Sequence, residues 1–292
     1  MLPPAGQRST IPAAFMITVK SSSINDSSWL KQHNGAEANN TKIVLSDFKE
    51  LAKMADSISM QRDFWNRWNA STREVHLEEV SFRQAQVVRS WLAQTPGIER
   101  RILEVGCGAG WFCGELAEFG EVTATDLSDE VLARAQERLP NVRFIAGDFM
   151  QLDFGGEKFD VIVALEVLSH IADQHAFIAK LASHLHDNGQ LMLATQNRPI
   201  LQKYNRIPPP SPGQLRRWVD KKELTSLLSR HFEVLQLFSV TPTANKGFMR
   251  ILHSRTLNRP IRALVGNRLD RLKESIGLGW TLMARARKKP VP

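Results

Sequence analysis

The 292-residue sequence carries 38 Lys and Arg against 30 Asp and Glu, a formal net charge of +8, and 42% hydrophobic residues. That is the composition of a globular chain long enough to bury a sizeable core. No run of 18 apolar residues occurs, which excludes a transmembrane helix, and the two cysteines, Cys107 and Cys113, exclude a disulfide scaffold and fit a reducing, cytoplasmic setting.

The charge is uneven along the chain. From Lys246 onward twelve Lys or Arg face two acids, a net of +10, and the remaining residues stand at −2. Such a segment attracts an anionic partner or forms a solvated basic helix, and the sequence leaves both open.

Residues 1–45 are rich in Ser, Asn, Ala and Pro with no sustained period, and read as a poorly ordered leader without the Arg density of a transit peptide. Between Asp47 and Asn69, Phe48, Leu51, Met54, Ala55, Ile58, Trp65 and Trp68 recur at helical spacing. A second helix is expected from Glu78 to Gln94, with Phe82, Ala85, Val88, Trp91 and Leu92 on one side. Thr95-Pro-Gly97 stops it. Residues 46–99 are thus an N-terminal helical cap on a domain spanning 100–292.

That domain opens on Arg101-Ile-Leu-Glu-Val-Gly-Cys-Gly-Ala-Gly110, a short apolar run followed by glycines at every second position and then by an expected helix over 110–119. A glycine turn between a strand and a helix lets backbone approach a ligand closely. The third glycine falls one residue earlier than in the dinucleotide fingerprint G-x-G-x-x-G. Glu104 would repel a pyrophosphate but suits an ammonium or a hydroxyl. Both features favour a nucleoside that carries an amino acid.

Strand and helix then alternate at short distance, which requires parallel pairing. Strands are expected near 101–105, 121–125, 142–145, 159–164, 190–195 and 232–240, and helices near 128–138, 172–186 and 220–230. Ser128 is the expected N-cap before Asp129 and Glu130, and His186-Asp-Asn-Gly189 an expected helix stop and turn. Residues 196–219 and 241–279 exceed a minimal core. The second has helical apolar spacing around Ile261, Leu264, Val265, Leu269 and Leu272. Both leave the sheet near its ligand edge and are placed to select an acceptor.

The motif Glu104-Val-Gly-Cys-Gly-Ala-Gly110 resembles the first motif of class I S-adenosylmethionine-dependent methyltransferases. Val122-Thr-Ala-Thr-Asp126-Leu-Ser128, Val142-Arg-Phe-Ile-Ala-Gly-Asp148-Phe149 and Phe159-Asp-Val-Ile-Val-Ala-Leu-Glu-Val-Leu-Ser-His170 resemble the three stations that follow it, so the resemblance spans roughly 100–240. It implies a Rossmann-like α/β fold: a seven-stranded mixed sheet, strands 1–5 and 6 parallel and strand 7, at 280–287, antiparallel, with helices on both faces. It implies S-adenosyl-L-methionine as cofactor. Glu104 would meet its ammonium, Gly106, Gly108 and Gly110 give backbone approach, Asp126 holds the ribose hydroxyls and Asp148 the adenine amino group, with Leu127, Phe149 and Leu165 beside them. For Asp148, capping a helix is the alternative.

Glu166-Val-Leu-Ser-His170 is similar to the Glu-x-Leu-x-His arrangement of ubiquinone-pathway O-methyltransferases, and makes His170 the candidate base, a structural role being the alternative. Asp63-Phe-Trp-Asn-Arg-Trp68 resembles the segment that folds over the cofactor in small-molecule members, so Trp65 and Trp68 either wall the acceptor pocket or pack. His175, His184 and His186 read as surface or packing residues, and no metal-ligand spacing is visible. The Asn/Asp-Pro-Pro-Tyr/Phe clamp of base-amine methylases is missing after the fourth strand, and no RNA-binding motif is recognisable. The expectation is methyl transfer to an oxygen or nitrogen of a small-molecule acceptor. The alternatives are an RNA- or carrier-protein-directed methyltransferase, or a non-catalytic binding module of the same fold.

Overall fold

In a computed structural model of the chain, residues 57–95, 97, 99–246, 274 and 277–290 are described. All belong to the second of the chain's two units, Lys53–Pro292. The expected leader over 1–45 and the apolar helical spacing at 261–272 lie outside the described residues.

Seven strands, β1 (Arg100–Val105), β2 (Gly120–Asp126), β3 (Arg143–Ala146), β4 (Phe159–Leu165), β5 (Leu185–Gln196), β6 (Phe232–Val240) and β7 (Thr281–Lys288), form one sheet in the order β3-β2-β1-β4-β5-β7-β6. Strands β1 to β5 pair in parallel, and β7 runs antiparallel to both β5 and β6. The order reverses between β1 and β4, which opens a crevice beyond their carboxyl ends. Alternating side chains supply two cores, as a sheet covered on both faces demands. Leu103, Val105, Ile162, Ala164, Leu191 and Leu193 face one way, toward Phe177, Ile178 and Leu181 of α5 (Gln174–His184) and Leu224 and Leu228 of α7 (Lys221–Ser229). Ile102, Val161, Val163, Met192 and Ala194 face the other way, toward Val88, Trp91 and Leu92 of α2 (Glu79–Gln94) and Leu116 of α3 (Cys113–Leu116). Each fully buried leucine or isoleucine there stabilises the fold by roughly 1.5–3 kcal/mol.

Residues 57–68 are helical (α1) and run into a π-helical turn, Asn69–Arg73. α4 (Asp129–Arg138) and α6 (Arg198–Tyr204) complete the helices used below. An Asp220–Glu223 capping box starts α7 where the helix over 220–230 was expected. Among the described residues no helix is long and apolar enough to cross a membrane.

Three local expectations are corrected. The helix over 110–119 is only the four residues of α3, because the chain leaves the bend through left-handed Gly110 (φ 70°) and helical dihedrals begin only beyond it. Ser128 stands at the N-cap of α4 as expected, with its hydroxyl donating to Asp126 and making no cap bond. The turn at 186–189 is a bulge inside β5, between the paired residues Leu185 and Gln190, with Asn188 left-handed at φ 64°. Phe82 is 54% exposed: the inward stripe of α2 instead includes Ser81 and Gln84, and both are buried.

The basic C-terminal segment is also partly spent within the fold. Arg285 donates to Gln190, Arg287 pairs with Glu233, Lys288 holds the Leu185 carbonyl and Asp187, and Lys289 bonds the Ser229 carbonyl. These four cations tie β7 to its neighbours.

Candidate functional site

The glycine bend begins where β1 ends. Gly106, Gly108 and Gly110 have φ of 74°, 56° and 70°, the left-handed region in which only glycine is unstrained. The Gly106 and Cys107 amides donate to the Thr125 carbonyl at 2.7 and 3.2 Å. Asp126, at the end of β2, closes the clamp: Oδ2 accepts the Gly108 amide at 2.8 Å, and Oδ1 accepts the Ser128 amide at 2.9 Å and its hydroxyl at 2.5 Å. A carboxylate offers about four lone-pair sites, so three internal bonds leave one free.

Gly106, Gly108, Asp126, Leu127, Asp148, Phe149 and Leu165 all line one cavity of about 540 Å³. These are seven of the nine residues expected at a nucleoside, and the volume falls within the range of small-molecule sites. No helix follows Asp148 for it to cap; its Oδ1 accepts the Met150 amide at 2.9 Å within a turn. The other two stand back from the wall. Gly110 packs under Phe144, where a Cβ would come within 3.1 Å of the ring. Glu104 lies behind the bend, 2% exposed, with Oε2 accepting the Cys113 thiol at 2.9 Å. Burial pushes the Glu104 carboxyl up to about 8, so it holds its proton at neutral pH. The Cys107 thiol is pushed up to about 11, mainly by burial, and Cys113 is raised too, by the Cys107 contact and burial. Both are inert small residues in the core.

The opposite side of the cavity is assembled from distant segments. α1 is fastened over it by Asn66 Nδ2 to Asp129 Oδ1 at 2.8 Å and Asn69 Nδ2 to Ser128 Oγ at 2.9 Å. Trp65 and Trp68 therefore line the cavity and also pack on each other, ring centroids 5.5 Å apart. His170 lies edge-on to Trp65 at 4.7 Å and lines the same space. Its Nδ1 is 2.6 Å from the Leu215 carbonyl. A carbonyl only accepts, so Nδ1 carries the hydrogen and Nε2 keeps its lone pair. Burial lowers the imidazole to about 4, so it is neutral at physiological pH. Of the other histidines, His175 and His186 are exposed and His184 packs between Phe149 and Phe154.

Glu166, the first residue of the Glu166–His170 motif, also lines this wall. It is left-handed at φ 64°, a conformation uncommon outside glycine. Oε1 accepts from Gln84 Nε2 at 2.5 Å and from Thr281 Oγ1 at 3.0 Å, and Oε2 has no hydrogen-bond partner among the described residues. Burial raises its pKa above the usual carboxylate range. Gln196 Oε1 is another buried acceptor without a partner, directly across β5–β7 from Thr281. An acid right after the apolar run of β4 was the one signal in the sequence. Gln84 and Thr281 gave none, since only the fold brings them to Glu166. Among the described residues no cluster of His, Cys, Asp and Glu could hold a metal ion.

Residues 102–189 match the model of the methyltransferase domain family. A probable S-adenosylmethionine-dependent methyltransferase of Mycobacterium tuberculosis is 33% identical over 156 residues, 53% of this chain and 56% of that protein. The ubiquinone biosynthesis O-methyltransferase of Coxiella burnetii is 27% identical over 160 residues, 52% of this chain and 63% of the relative. The chain thus spans little more than half the length of these curated relatives. The fold is shared with the N-methyltransferase NodS of Bradyrhizobium japonicum in complex with S-adenosyl-L-homocysteine, at TM-score 0.54 and 19% identity over 79% of this chain and 99% of that one. It is also shared with a putative sarcosine dimethylglycine methyltransferase of Galdieria sulphuraria, at TM-score 0.52 and 17% identity over 72% and 87%.

Proposed function

We propose that this chain, a member of the class I S-adenosylmethionine-dependent methyltransferase family, transfers the cofactor's methyl group to an oxygen or nitrogen of a small-molecule acceptor. The observation that carries the reading is the Gly108–Asp126 clamp on the wall of a cavity whose far side is aromatic. That pairing joins a close backbone approach and an acid for ribose hydroxyls to a dry space for an acceptor. The buried free thiols support a reducing, cytoplasmic setting.

Bound S-adenosylmethionine supplies an electrophilic methyl on a sulfonium, so the protein's work is positioning and exclusion of water. Asp126 keeps one acceptor site for the sugar and, through Gly108 and Ser128, fixes the bend that the sugar meets. Asp148 faces the adenine end, with Phe149 and Leu165 as its apolar flanks. Glu104 supports the bend from behind, and would serve an ammonium through water or by giving up its raised proton.

Trp65, Trp68, Trp111 and Trp280 wall the acceptor end. There His170 Nε2 takes a hydrogen bond from the acceptor's O–H or N–H and orients its lone pair. With a pKa of about 4, His170 is a weak resting place for a full proton. Glu166 is placed for that task on the same cavity wall, with a buried Oε2 that has no hydrogen-bond partner among the described residues.

The test is a metabolite extract incubated with the protein and methyl-labelled S-adenosylmethionine. Label in the small-molecule fraction is the expected result. Label confined to RNA or to carrier protein would replace the acceptor class, and no label together with no cofactor binding would leave only a binding module.

A further inference from the structure

We infer that the acceptor carries an oxyanion, a carboxylate or a phosphate, bound by Arg216 at the neck between the main cavity and a second one beside it. This rests on the methyltransferase reading and names the acceptor class it did not specify.

The second cavity, also about 540 Å³, shares Leu201, Ile207, Arg216 and Trp218 with the first. Among the described residues three arginines line it, Arg198, Arg216 and Arg217, and no acid does. They are not equivalent. Arg198 is neutralised by Asp220 and Glu223, each at 2.7 Å. Arg217 is exposed and turned to the Ala172 carbonyl.

Arg216 has no carboxylate within ion-pair distance among the described residues. Its Nη1 donates to the Pro208 carbonyl and its Nη2 to Gln214 Oε1, both at 2.6 Å. A guanidinium has five N–H donors, and both of these partners are neutral. Burial alone lowers its pKa, the mark of a partly desolvated cation without a counter-ion.

The cation is also held in place. Its two neighbours are bonded to the turn after β4: the Leu215 carbonyl accepts from His170, and the Arg217 amide donates to the Ser169 carbonyl at 2.7 Å. Arg216 is therefore fixed beside His170, whose imidazole its charge helps keep neutral. A planar, preorganised fork at that point matches a planar or tetrahedral oxyanion better than it matches any neutral group. An acceptor so held has its reactive atom among the tryptophans and its charged end at the neck. Its remaining length extends past Trp218 into the second cavity.

The experiment is calorimetry on the full chain, with and without S-adenosylhomocysteine, using benzoate, benzamide and inorganic phosphate as probes. We expect benzoate or phosphate to bind at least tenfold more tightly than neutral benzamide, and the stronger of the two tells which oxyanion the site prefers. Arg216→Gln should remove that preference while Arg216→Lys keeps part of it, and S-adenosylhomocysteine binding should be the same in all three proteins. Equal binding of benzoate and benzamide with no response to phosphate, or oxyanion binding unchanged in Arg216→Gln, would overturn the inference. Loss of nucleoside binding by the parent protein would instead sink the methyltransferase reading, and the oxyanion titration without nucleoside would still report on Arg216.

Discussion

The two halves of the main cavity, one proposed for the nucleoside and the other for the acceptor, are built by different means. The nucleoside half comes from the consecutive ends of β1 to β4 and is braced by bonds within the core, such as Gly108 to Asp126 and Gly106 to Thr125. The acceptor half draws on α1, α2, the turn at 166–170, the loop at 205–219 and the start of β7, joined by side-chain bonds such as Gln84 to Glu166 and Asn69 to Ser128. One half is a property of a supersecondary unit, while the other exists only once the whole unit has folded. Damage to the first should therefore abolish cofactor binding, and damage to the second should spare it.

Gly106→Ala gives the largest expected effect. A Cβ there would sit 2.0 Å from Val167 Cγ2 on a residue with φ 74°. Overpacking and left-handed strain together cost about 2–5 kcal/mol, to be read from denaturant unfolding, and nucleoside binding should vanish. Adding Val167→Ala should recover the steric part but not the backbone part. A fully stable single variant would show that the bend is not packed this way.

Glu166→Gln sharpens the contrast. It should leave S-adenosylhomocysteine affinity unchanged and lower turnover on a found acceptor by about 10²-fold or more. A matching loss of nucleoside affinity would erase the distinction between the halves.

The halves also differ in the sign of their pH dependence. Glu104 is raised to about 8, so its contribution to stability is complete below the ordinary carboxylate pKa and is lost as pH rises toward 8. His170 is lowered to about 4, so its contribution is complete above the ordinary histidine pKa and is lost as pH falls through 6 toward 4. Each is worth on the order of a few kcal/mol. Melting temperatures across pH 4–9 should lose the decline that ends near pH 8 in Glu104→Gln and the decline toward pH 4 in His170→Gln. Slopes unchanged in both variants would contradict the burial described for them.

The smallest effect is expected at Arg287→Gln, distant from either half. Its pair with Glu233 is exposed, so stability should move by less than about 1 kcal/mol. A larger fall in unfolding experiments would mean that the β6–β7 edge depends on that pair.

What could be read from the sequence follows the same division. The bend was legible as a glycine turn between a strand and a helix, and Asp126 and Asp148 were picked out by the resemblance of their strand ends to the methyltransferase motifs. Their pairing was not. Nothing local says that Asp126 spends an oxygen on Gly108, or that Ser128 turns from capping α4 toward that acid. Phe82 was assigned inward because it is apolar, whereas the buried stripe of α2 carries Ser81 and Gln84, polar residues facing other polar residues. Glu166 entered only as the first residue of a motif and Arg216 not at all, because what sets them apart is, among the described residues, an oxygen without a hydrogen-bond partner and a guanidinium without a carboxylate, both properties of the folded surroundings.

Calorimetry with S-adenosylhomocysteine on the full chain and on Asp126→Ala tests the central claim most directly. One nucleoside should bind per chain, and the variant should bind it about 10- to 100-fold more weakly, as expected for losing a hydrogen bond to a charged group. Equal affinity in the two proteins, or no binding by the parent, would contradict the account.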